Sequence, residues 1–216
     1  MLKRDGQDMP FFVGRLEAGL GRPKPGLQAQ LDMLPEPRPG HQTYEEVEDI
    51  SLKAAILLLV YPLEGRPHLL FTRRTEKVLH HPRQISFPGG HREPGETVVE
   101  TALREAEEEV GVRPGDVRIL GELTPLYIPP SNYCVYPVVG TADIRPDFRL
   151  APLEVAEILE VPLDLLLAPE SRCREMWNVG GLEMTVPHFA FKGDKIWGAT
   201  AMVLAEFLHI LKDGGT

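Results

Sequence analysis

The sequence is poor in cysteine, in long apolar runs and in positive charge, and each shortage excludes a class of protein. Two cysteines, Cys134 and Cys173, are too few for a disulfide framework and indicate free thiols in a reducing compartment. The longest apolar run, Ala54 to Tyr61, is far too short to cross a bilayer, and the N-terminal residues lack the apolar core of a signal peptide. With 32 acidic and 23 basic side chains, the chain has a net charge of −9 and lacks the clustered cations of a nucleic-acid-binding surface. The composition therefore predicts a cytoplasmic protein that binds neither a membrane nor a nucleic acid.

The chain is long enough, at 216 residues with 43% hydrophobic side chains, to bury one substantial core. A short helix is predicted around Phe11 to Leu20. Five prolines between Arg22 and Gln42 exclude long regular structure in the segment that follows. We therefore divide the chain into an N-terminal short helix with a Pro-rich extension, residues 1–45, and a main domain, residues 46–216.

Strands are predicted where apolar and β-branched residues run between turn residues. The run Ala54–Tyr61 is apolar throughout, which is typical of a central strand buried on both faces. The other predicted strands are Leu69–Arg73, Ile85–Phe87, Val117–Leu126, Tyr133–Thr141 and Glu183–Phe191. A C-terminal amphipathic helix is predicted to begin at Ile196 and to end near Gly214.

A Pro/Gly-rich loop from Gly90 to Gly95 leads into the most informative segment, which has the local signals of a helix. Thr97 and Glu100 form a potential capping box, and Gly111 stands where a left-handed C-terminal cap is expected. Apolar residues recur between these ends at helical spacing, so an amphipathic helix is predicted from Thr97 to Val112.

The acidic residues of this helix are concentrated where the helix dipole is already negative. Glu105, Glu107, Glu108 and Glu109 crowd its last turns, and each anion there is unfavourable by roughly 0.3–1 kcal/mol. At about 100° per residue, Glu105, Glu108 and Glu109 lie within roughly 100° of one another, whereas Glu107 points away. Oxygen-only ligation of this kind suits Mg²⁺ or Mn²⁺. The alternative is a Glu-rich surface helix without a ligand, which is common in proteins.

The positions Gly90, Glu96 and Arg104-Glu105-Ala106-Glu107-Glu108-Glu109-Val110-Gly111-Val112 together resemble a complete Nudix box. The resemblance implies an α/β fold, an α/β/α sandwich with a mixed central sheet, and hydrolysis of a nucleoside diphosphate linked to another group, assisted by Mg²⁺ or Mn²⁺. By position, Glu105, Glu108 and Glu109 would bind the metal, and Gly90 would offer it a carbonyl. Arg104 would hold Glu105 in place and Glu96 would brace the loop, which makes Glu105, Arg104 and Glu108 the candidate catalytic residues.

The segment before the box carries a second resemblance. Thr72-Arg73-Arg74-Thr75-Glu76-Lys77, His80-His81 and Gln84-Ile85-Ser86-Phe87-Pro88-Gly89-Gly90 are similar to the segment that marks coenzyme A (CoA) pyrophosphatases within the Nudix group. Three positions depart from it: Leu79 replaces the usual Arg, Arg83 the usual Gly, and Thr75 the usual Ser or Ala. The candidate substrate-binding residues are Arg73, Arg74, His81 and Arg83; the alternative interpretation is a solvated basic loop.

Two further acids, Glu154 and Glu157, lie in a segment that resembles a later Nudix stretch whose acid often approaches the metal. Either is a candidate for an additional ligand or for the base that activates water, and their spacing does not decide between them. The two resemblances imply metal-dependent hydrolysis of CoA or acyl-CoA to 3′,5′-ADP and 4′-phosphopantetheine or its acyl derivative, and we expect a monomer or homodimer. The alternatives are a Nudix pyrophosphatase for ADP-ribose or another dinucleotide, and a non-catalytic nucleotide-binding module.

Overall fold

The central apolar run becomes the strand around which a large mixed sheet is built. The computed structural model describes residues 8–37, 42–76, 83–179 and 181–214. The eight strands of this sheet are β1 (Leu52–Leu63), β2 (Arg66–Arg74), β3 (Ile85–Ser86), β4 (Gly89–His91), β5 (Arg118–Glu122), β6 (Leu126–Ile128), β7 (Tyr133–Thr141) and β8 (Val155–Pro162). The helices are α1 (Met9–Leu20), α2 (Leu27–Leu31), α3 (Tyr44–Val47), α4 (Val98–Val110), α5 (Leu163–Leu167) and α6 (Gly198–Asp213).

Strand β1 pairs with three partners. It runs parallel to β7 along almost its whole length, antiparallel to β2 near its C-terminal end, and antiparallel to β4 near its N-terminal end. Strands β8 and β3 extend the sheet beyond β2, while β5 and β6 share the other edge of β7. The predicted mixed sheet is confirmed.

The single strand predicted over Val117–Leu126 is wrong, because the structure divides it into β5 and β6. Strand β5 ends at Glu122, and Pro125 precedes β6. Proline has no backbone N–H to donate to a ladder, so the chain leaves the sheet there and returns to pair with a different part of β7.

The side-chain alternation of β1 separates two cores. Ala55, Leu57 and Leu59 belong to the core cluster that contains Ala102 and Val110 of α4. Leu58 and Val60 point the other way, into the larger cluster that contains Leu204 and Phe207 of α6. The sheet therefore lies between α4 on one face and α6 on the other, which confirms the predicted α/β/α sandwich.

The N-terminal helix was predicted near its observed bounds and adds to the larger core. Phe12 and Leu16 of α1 are buried in the same cluster as α6. Residue Gln30 of α2 is fully buried and donates through Nε2 to Glu206 of α6 (2.8 Å) and to the carbonyl of Thr124 (2.9 Å). Glu206 also accepts from the Thr124 hydroxyl at 2.7 Å. This polar network ties α2, α6 and the β5–β6 connection together inside the protein.

A second, three-stranded sheet follows α5 and precedes α6. It consists of β9 (Arg172–Val179), β10 (Leu182–Phe191) and β11 (Asp194–Trp197), paired antiparallel in the order β11-β10-β9. The prediction that the C-terminal helix begins at Ile196 is wrong. Ile196 lies in β11, where it pairs with Phe189 of β10, and α6 begins at Gly198. Within the described part of the chain, no helix has both the length and the apolar character needed to cross a membrane.

Candidate active site

Helix α4 is built by the local signals that predict it. The Thr97 hydroxyl accepts from the backbone N–H of Glu100 (3.2 Å), while the Glu100 carboxylate accepts from the N–H of Thr97 (2.8 Å). Gly111 ends the helix at φ 75°, a left-handed conformation that favours glycine. The predicted helix is confirmed, and its acidic last turns lie against β4.

Arg104 donates hydrogen bonds to three carboxylates of the site, those of Glu96, Glu105 and Glu108. Its Nε donates to Glu96 at 2.7 Å, and its Nη1 donates to Glu105 at 2.8 Å and to Glu108 at 3.3 Å. Its Nη2 donates to the carbonyl of His91 at 2.9 Å. These bonds raise the pKa of the Arg104 guanidinium above its usual range, chiefly through Glu96. One cation thus fixes Glu105 relative to the loop that precedes the helix.

Glu96 connects that loop to α4. Besides the two bonds from Arg104, its carboxylate accepts from the Thr101 hydroxyl (2.8 Å) and from the backbone N–H of Glu93 (3.0 Å). The hydrogen bond from Arg104 is the largest cause that lowers the pKa of Glu96, to about 2. The carboxylate is therefore ionised at every physiological pH and holds the loop in one conformation.

Gly90 lies in direct contact with the carboxylate of Glu105. A Cβ atom added at Gly90 would lie 2.5 Å from Glu105 Oε2, closer than any non-bonded contact allows. The absence of a side chain at this position lets Glu105 pack against the backbone of β4. Burial raises the pKa of Glu105, partly offset by its hydrogen bond from Arg104.

Glu109 is the most buried acid of the cluster, with 5% of its surface exposed. Its Oε2 accepts from the backbone N–H of Gly89 at 3.3 Å. Burial raises its pKa to about 8, although the Gly89 N–H and the charge of Arg74 act in the opposite direction. A cation beside this carboxylate would favour its charged form.

Sequence reasoning singled out Gly90 and missed the role of Gly89. Gly89 has φ 154°, and a side chain there would overlap the carbonyl of Ala55 on β1. Glycine is therefore required for β4 to approach β1 while its N–H holds Glu109. The adjacent glycine pair in the sequence was the available signal.

The donor set fits a hard divalent cation, because it consists of carboxylate oxygens beside the backbone of β4. The structure does not bring the three predicted ligands to one point. Glu105 and Glu108 share Arg104, whereas Glu109 turns towards Gly89. Within residues 8–37, 42–76, 83–179 and 181–214, no three His, Cys, Asp or Glu side chains form a group that could hold a metal.

Of the basic residues predicted to bind substrate, only Arg74 is placed near these acids among those that the structure describes. Strand alternation puts Arg74 on the α4 face, where its charge acts on Glu109 and its buried Nε has no hydrogen-bond partner among the described residues. Arg73 points to the other face and pairs with Glu157 at 2.5 Å and with Asp194 at 2.7 Å. It therefore ties the two sheets together. Arg83 pairs with Glu76 at an exposed position, and His81 lies outside the described residues.

The two candidate acids of the later segment, Glu154 and Glu157, also lie in different surroundings. Glu157 pairs with Arg73 on the face away from α4. Glu154 lies close enough to Glu105 and Glu109 for its charge to raise the pKa of both. Of these two candidates, Glu154 is therefore the one that lies beside the acids of α4.

The NUDIX domain family matches residues 51–175, more than half of the chain. The chain belongs to the Nudix family. This Nudix hydrolase is 35% identical over 178 residues to the uncharacterized Nudix hydrolase NudL of Photorhabdus laumondii, a match that covers 82% of this chain and 90% of the relative. It is 36% identical over 143 residues to the peroxisomal coenzyme A diphosphatase NUDT7 of Mus musculus, covering 66% of this chain and 60% of the mouse protein.

A solved structure supports the fold of this Nudix hydrolase. The MutT/nudix family protein of Enterococcus faecalis superposes with a TM-score of 0.52 and 15% identity, covering 82% of this chain and 66% of that chain. Nudix hydrolases act on phosphorus-containing anhydrides, generally with divalent metals, and bind small nucleotide derivatives. The acidic face of α4 is thus the candidate site of pyrophosphate hydrolysis.

Proposed function

We propose that this Nudix hydrolase cleaves the pyrophosphate bond of CoA or acyl-CoA to 3′,5′-ADP and 4′-phosphopantetheine or its acyl derivative. The observation that carries the substrate is the 36% identity to the mouse peroxisomal coenzyme A diphosphatase. The segment from Thr72 to Gly90, similar to that of CoA pyrophosphatases, supports the same substrate. It ends in β4, whose glycines contact Glu105 and Glu109.

Glu105, Glu108, Glu109 and the carbonyl of Gly90 are the groups that would hold Mg²⁺ or Mn²⁺. The buried carboxylate of Glu109 and the contact between Glu105 and Gly90 are the features that suit such an ion. When bound, the metal polarises phosphoryl oxygens and neutralises the charge that develops on them. Arg104 holds Glu105 for this role and leaves Glu108 exposed on the side of solvent and substrate.

The residues of the site then activate and orient water. Either Glu105 or Glu154 accepts a proton at a carboxylate oxygen from the water that attacks phosphorus. The new P–O bond replaces the bond to the bridging oxygen, which leaves with the second phosphate, and the carboxyl group returns its proton to solvent. Arg74, whose Nε has no partner among the described residues, binds the anionic substrate beside Glu109.

Variants of the neighbouring residues Arg73 and Arg74 should separate an effect on substrate binding from an effect on stability. We expect Arg74→Gln to raise KM for CoA about tenfold or more, since a charge-assisted bond to phosphate contributes about 1.5–3 kcal/mol. Arg73→Gln breaks the pairs with Glu157 and Asp194 and should lower Tm while changing KM less than threefold. Steady-state kinetics and thermal melts of both variants check this. Equal KM values for Arg74→Gln and the native protein would remove Arg74 from the substrate site.

A substrate screen tests the proposed function directly. The purified protein is incubated with Mg²⁺ or Mn²⁺ and CoA, acyl-CoA, ADP-ribose, NADH or diadenosine polyphosphates, and the products are separated and quantified. We expect kcat/KM for CoA or acyl-CoA to exceed that for the other substrates at least tenfold, which corresponds to about 1.4 kcal/mol of transition-state binding. A preference for ADP-ribose or a dinucleotide would instead support the alternative pyrophosphatase, which the departures at Leu79 and Arg83 favour. Arg83 itself forms an exposed ion pair with Glu76.

A further inference from the structure

We propose that Thr75 is a positioning residue, whose hydroxyl holds the turn that carries Glu154 and so fixes Glu154 beside the acids of α4. This inference rests on the proposed hydrolysis at that site. Thr75 follows directly after Arg74 at the end of β2 and is 9% exposed. It is one of the positions at which the chain departs from the CoA-pyrophosphatase segment, where Ser or Ala is usual.

Thr75 binds the turn through two hydrogen bonds. Its Oγ1 donates to the carbonyl of Leu153 at 2.8 Å, and its backbone N–H donates to the carbonyl of Glu154 at 2.9 Å. The bonded carbonyls are those of Glu154 and of the residue before it. The side chain and backbone of one residue thus fix the peptide groups on both sides of the Cα atom of Glu154.

The other side of the same turn is attached to α4. The N–H of Ala151 donates to the carbonyl of Glu109 at 2.9 Å, and the N–H groups of Glu154 and Val155 both donate back to Ala151. The turn therefore bridges the C-terminal end of α4 and the end of β2. Loss of the Thr75 hydroxyl would remove the bond to Leu153 and loosen the turn from β2. The bond between Ala151 and Glu109, which attaches the turn to α4, would remain.

A β-bulge in β8 interrupts the β2–β8 pairing beside Thr75. Arg73 is opposite Glu157, but Arg74 is opposite Val155, so β8 has one extra residue, Ala156, at this point. Val155 is buried in the same core cluster as Ala102 and Val110 of α4. Bulges interrupt a ladder and redirect side chains, often beside active sites. Beyond this bulge the regular β2–β8 pairing ends. The hydrogen bonds of Thr75 then connect the end of β2 to the turn that precedes β8.

Glu154 depends on its backbone for its position. The residue is exposed, and its carboxylate has no hydrogen-bond or ion-pair partner among the residues that the structure describes. The turn nevertheless keeps it beside α4, because the preceding Ala151 is bonded to the carbonyl of Glu109 and the following Val155 packs with Ala102 and Val110. An exposed acid held only by its turn can take a proton from the attacking water at the right place only while the turn is fixed. A displacement of about 1 Å in a reacting group can cost up to 10²-fold in rate.

A double-mutant cycle tests the inference, with the best substrate of the screen and Mn²⁺. We expect Thr75→Val to lower kcat 10- to 100-fold with KM changed less than threefold, and Thr75→Ser to restore kcat to within threefold of the native value. In a Glu154→Gln background, Thr75→Val should change kcat less than twofold, because both variants remove the same contribution. Thr141→Val is the control, since Thr141 is also buried and donates to the carbonyl of Val60 at 3.0 Å, far along β1 from the site.

Three outcomes would overturn the inference: a native kcat in Thr75→Val, an equal effect of Thr75→Val in both backgrounds, or a native kcat in Glu154→Gln. Hydrogen exchange gives a reading that does not depend on activity. The hydrogen-bonded amides of Glu154 and Val155 should exchange at least tenfold faster in Thr75→Val than in the native protein, and unchanged exchange would also overturn it. If the native protein hydrolyses no substrate in the screen, the proposed function fails, whereas the exchange result still decides whether Thr75 holds the turn.

Discussion

The Glu108→Gln variant is expected to lose about 10²- to 10³-fold in kcat while it melts at the temperature of the native protein. The substitution keeps the size of the side chain and removes the charge that would hold a cation and its substrate oxygens. Removing one group that stabilises the transition state typically costs this much. The Glu108 side chain is 60% exposed and accepts one long bond from Arg104, so the fold should not depend on it. Kinetics with saturating Mn²⁺ and a thermal melt measure both effects.

Glu107→Gln is the matched control, because Glu107 is exposed on the same helix and faces away from Glu105. It removes the same charge from the same turns and should keep kcat within twofold of native. Equal losses in the two variants would point to net charge and not to a ligand position. A native kcat in Glu108→Gln would remove Glu108 from the metal site. Binding of CoA by a native protein without turnover would favour the non-catalytic module.

The Gly90→Ala variant is expected to lose at least about 10²-fold in kcat/KM. Its added Cβ would lie 2.5 Å from Oε2 and 2.6 Å from Cδ of Glu105, so the carboxylate must move by several tenths of an ångström or more. Glu105 cannot move without breaking its 2.8 Å bond from Arg104. A misplaced catalytic group can cost about 10²-fold, and here the displaced group is also a proposed metal ligand.

Gly115→Ala provides the comparison for Gly90→Ala. Nothing lies within 4 Å of a Cβ atom at Gly115, and its backbone is not in the left-handed region. The control should therefore keep full activity. If Gly90→Ala is as active as Gly115→Ala, the contact between Gly90 and Glu105 has no role in the chemistry. A crystal structure of the Gly90→Ala protein would show directly whether the Glu105 carboxylate has moved.

The parts of the fold that local chemistry determines were predictable from the sequence. Helix α4 was predicted within two residues at each end, because Thr97, Glu100 and Gly111 make their capping contacts with neighbouring residues. Strand β11 was not predicted, since Ile196 and Trp197 continue smoothly into an apolar helical pattern. The turn at Lys192-Gly193-Asp194 is itself predicted by the sequence, and in the structure Lys192 and Gly193 both have positive φ, as a two-residue hairpin requires.

The site was less predictable, because its membership depends on which face of a strand each residue occupies. Arg73 and Arg74 are indistinguishable in composition, and the alternation of β2 sends one to Asp194 and the other towards Glu109. The choice of Glu154 over Glu157 depends on the bulge at Ala156, which a single sequence does not reveal. Thr75 reaches a turn 78 residues away in the sequence. Contacts of that span are set by topology and not by local pattern.

The buried network around Glu206 has a consequence for how the chain reaches its native state. Gln30 and Glu206 are 176 residues apart, so the bond between them can form only after all of the intervening chain has been synthesised. During translation, the apolar faces of α1 and α2 lack their final partner until α6 has been made. Domains dominated by such distant contacts fold slowly, because the entropy of closing long loops opposes the transition state. Helices α1 and α2 can therefore reach their final packing only after α6 has been made.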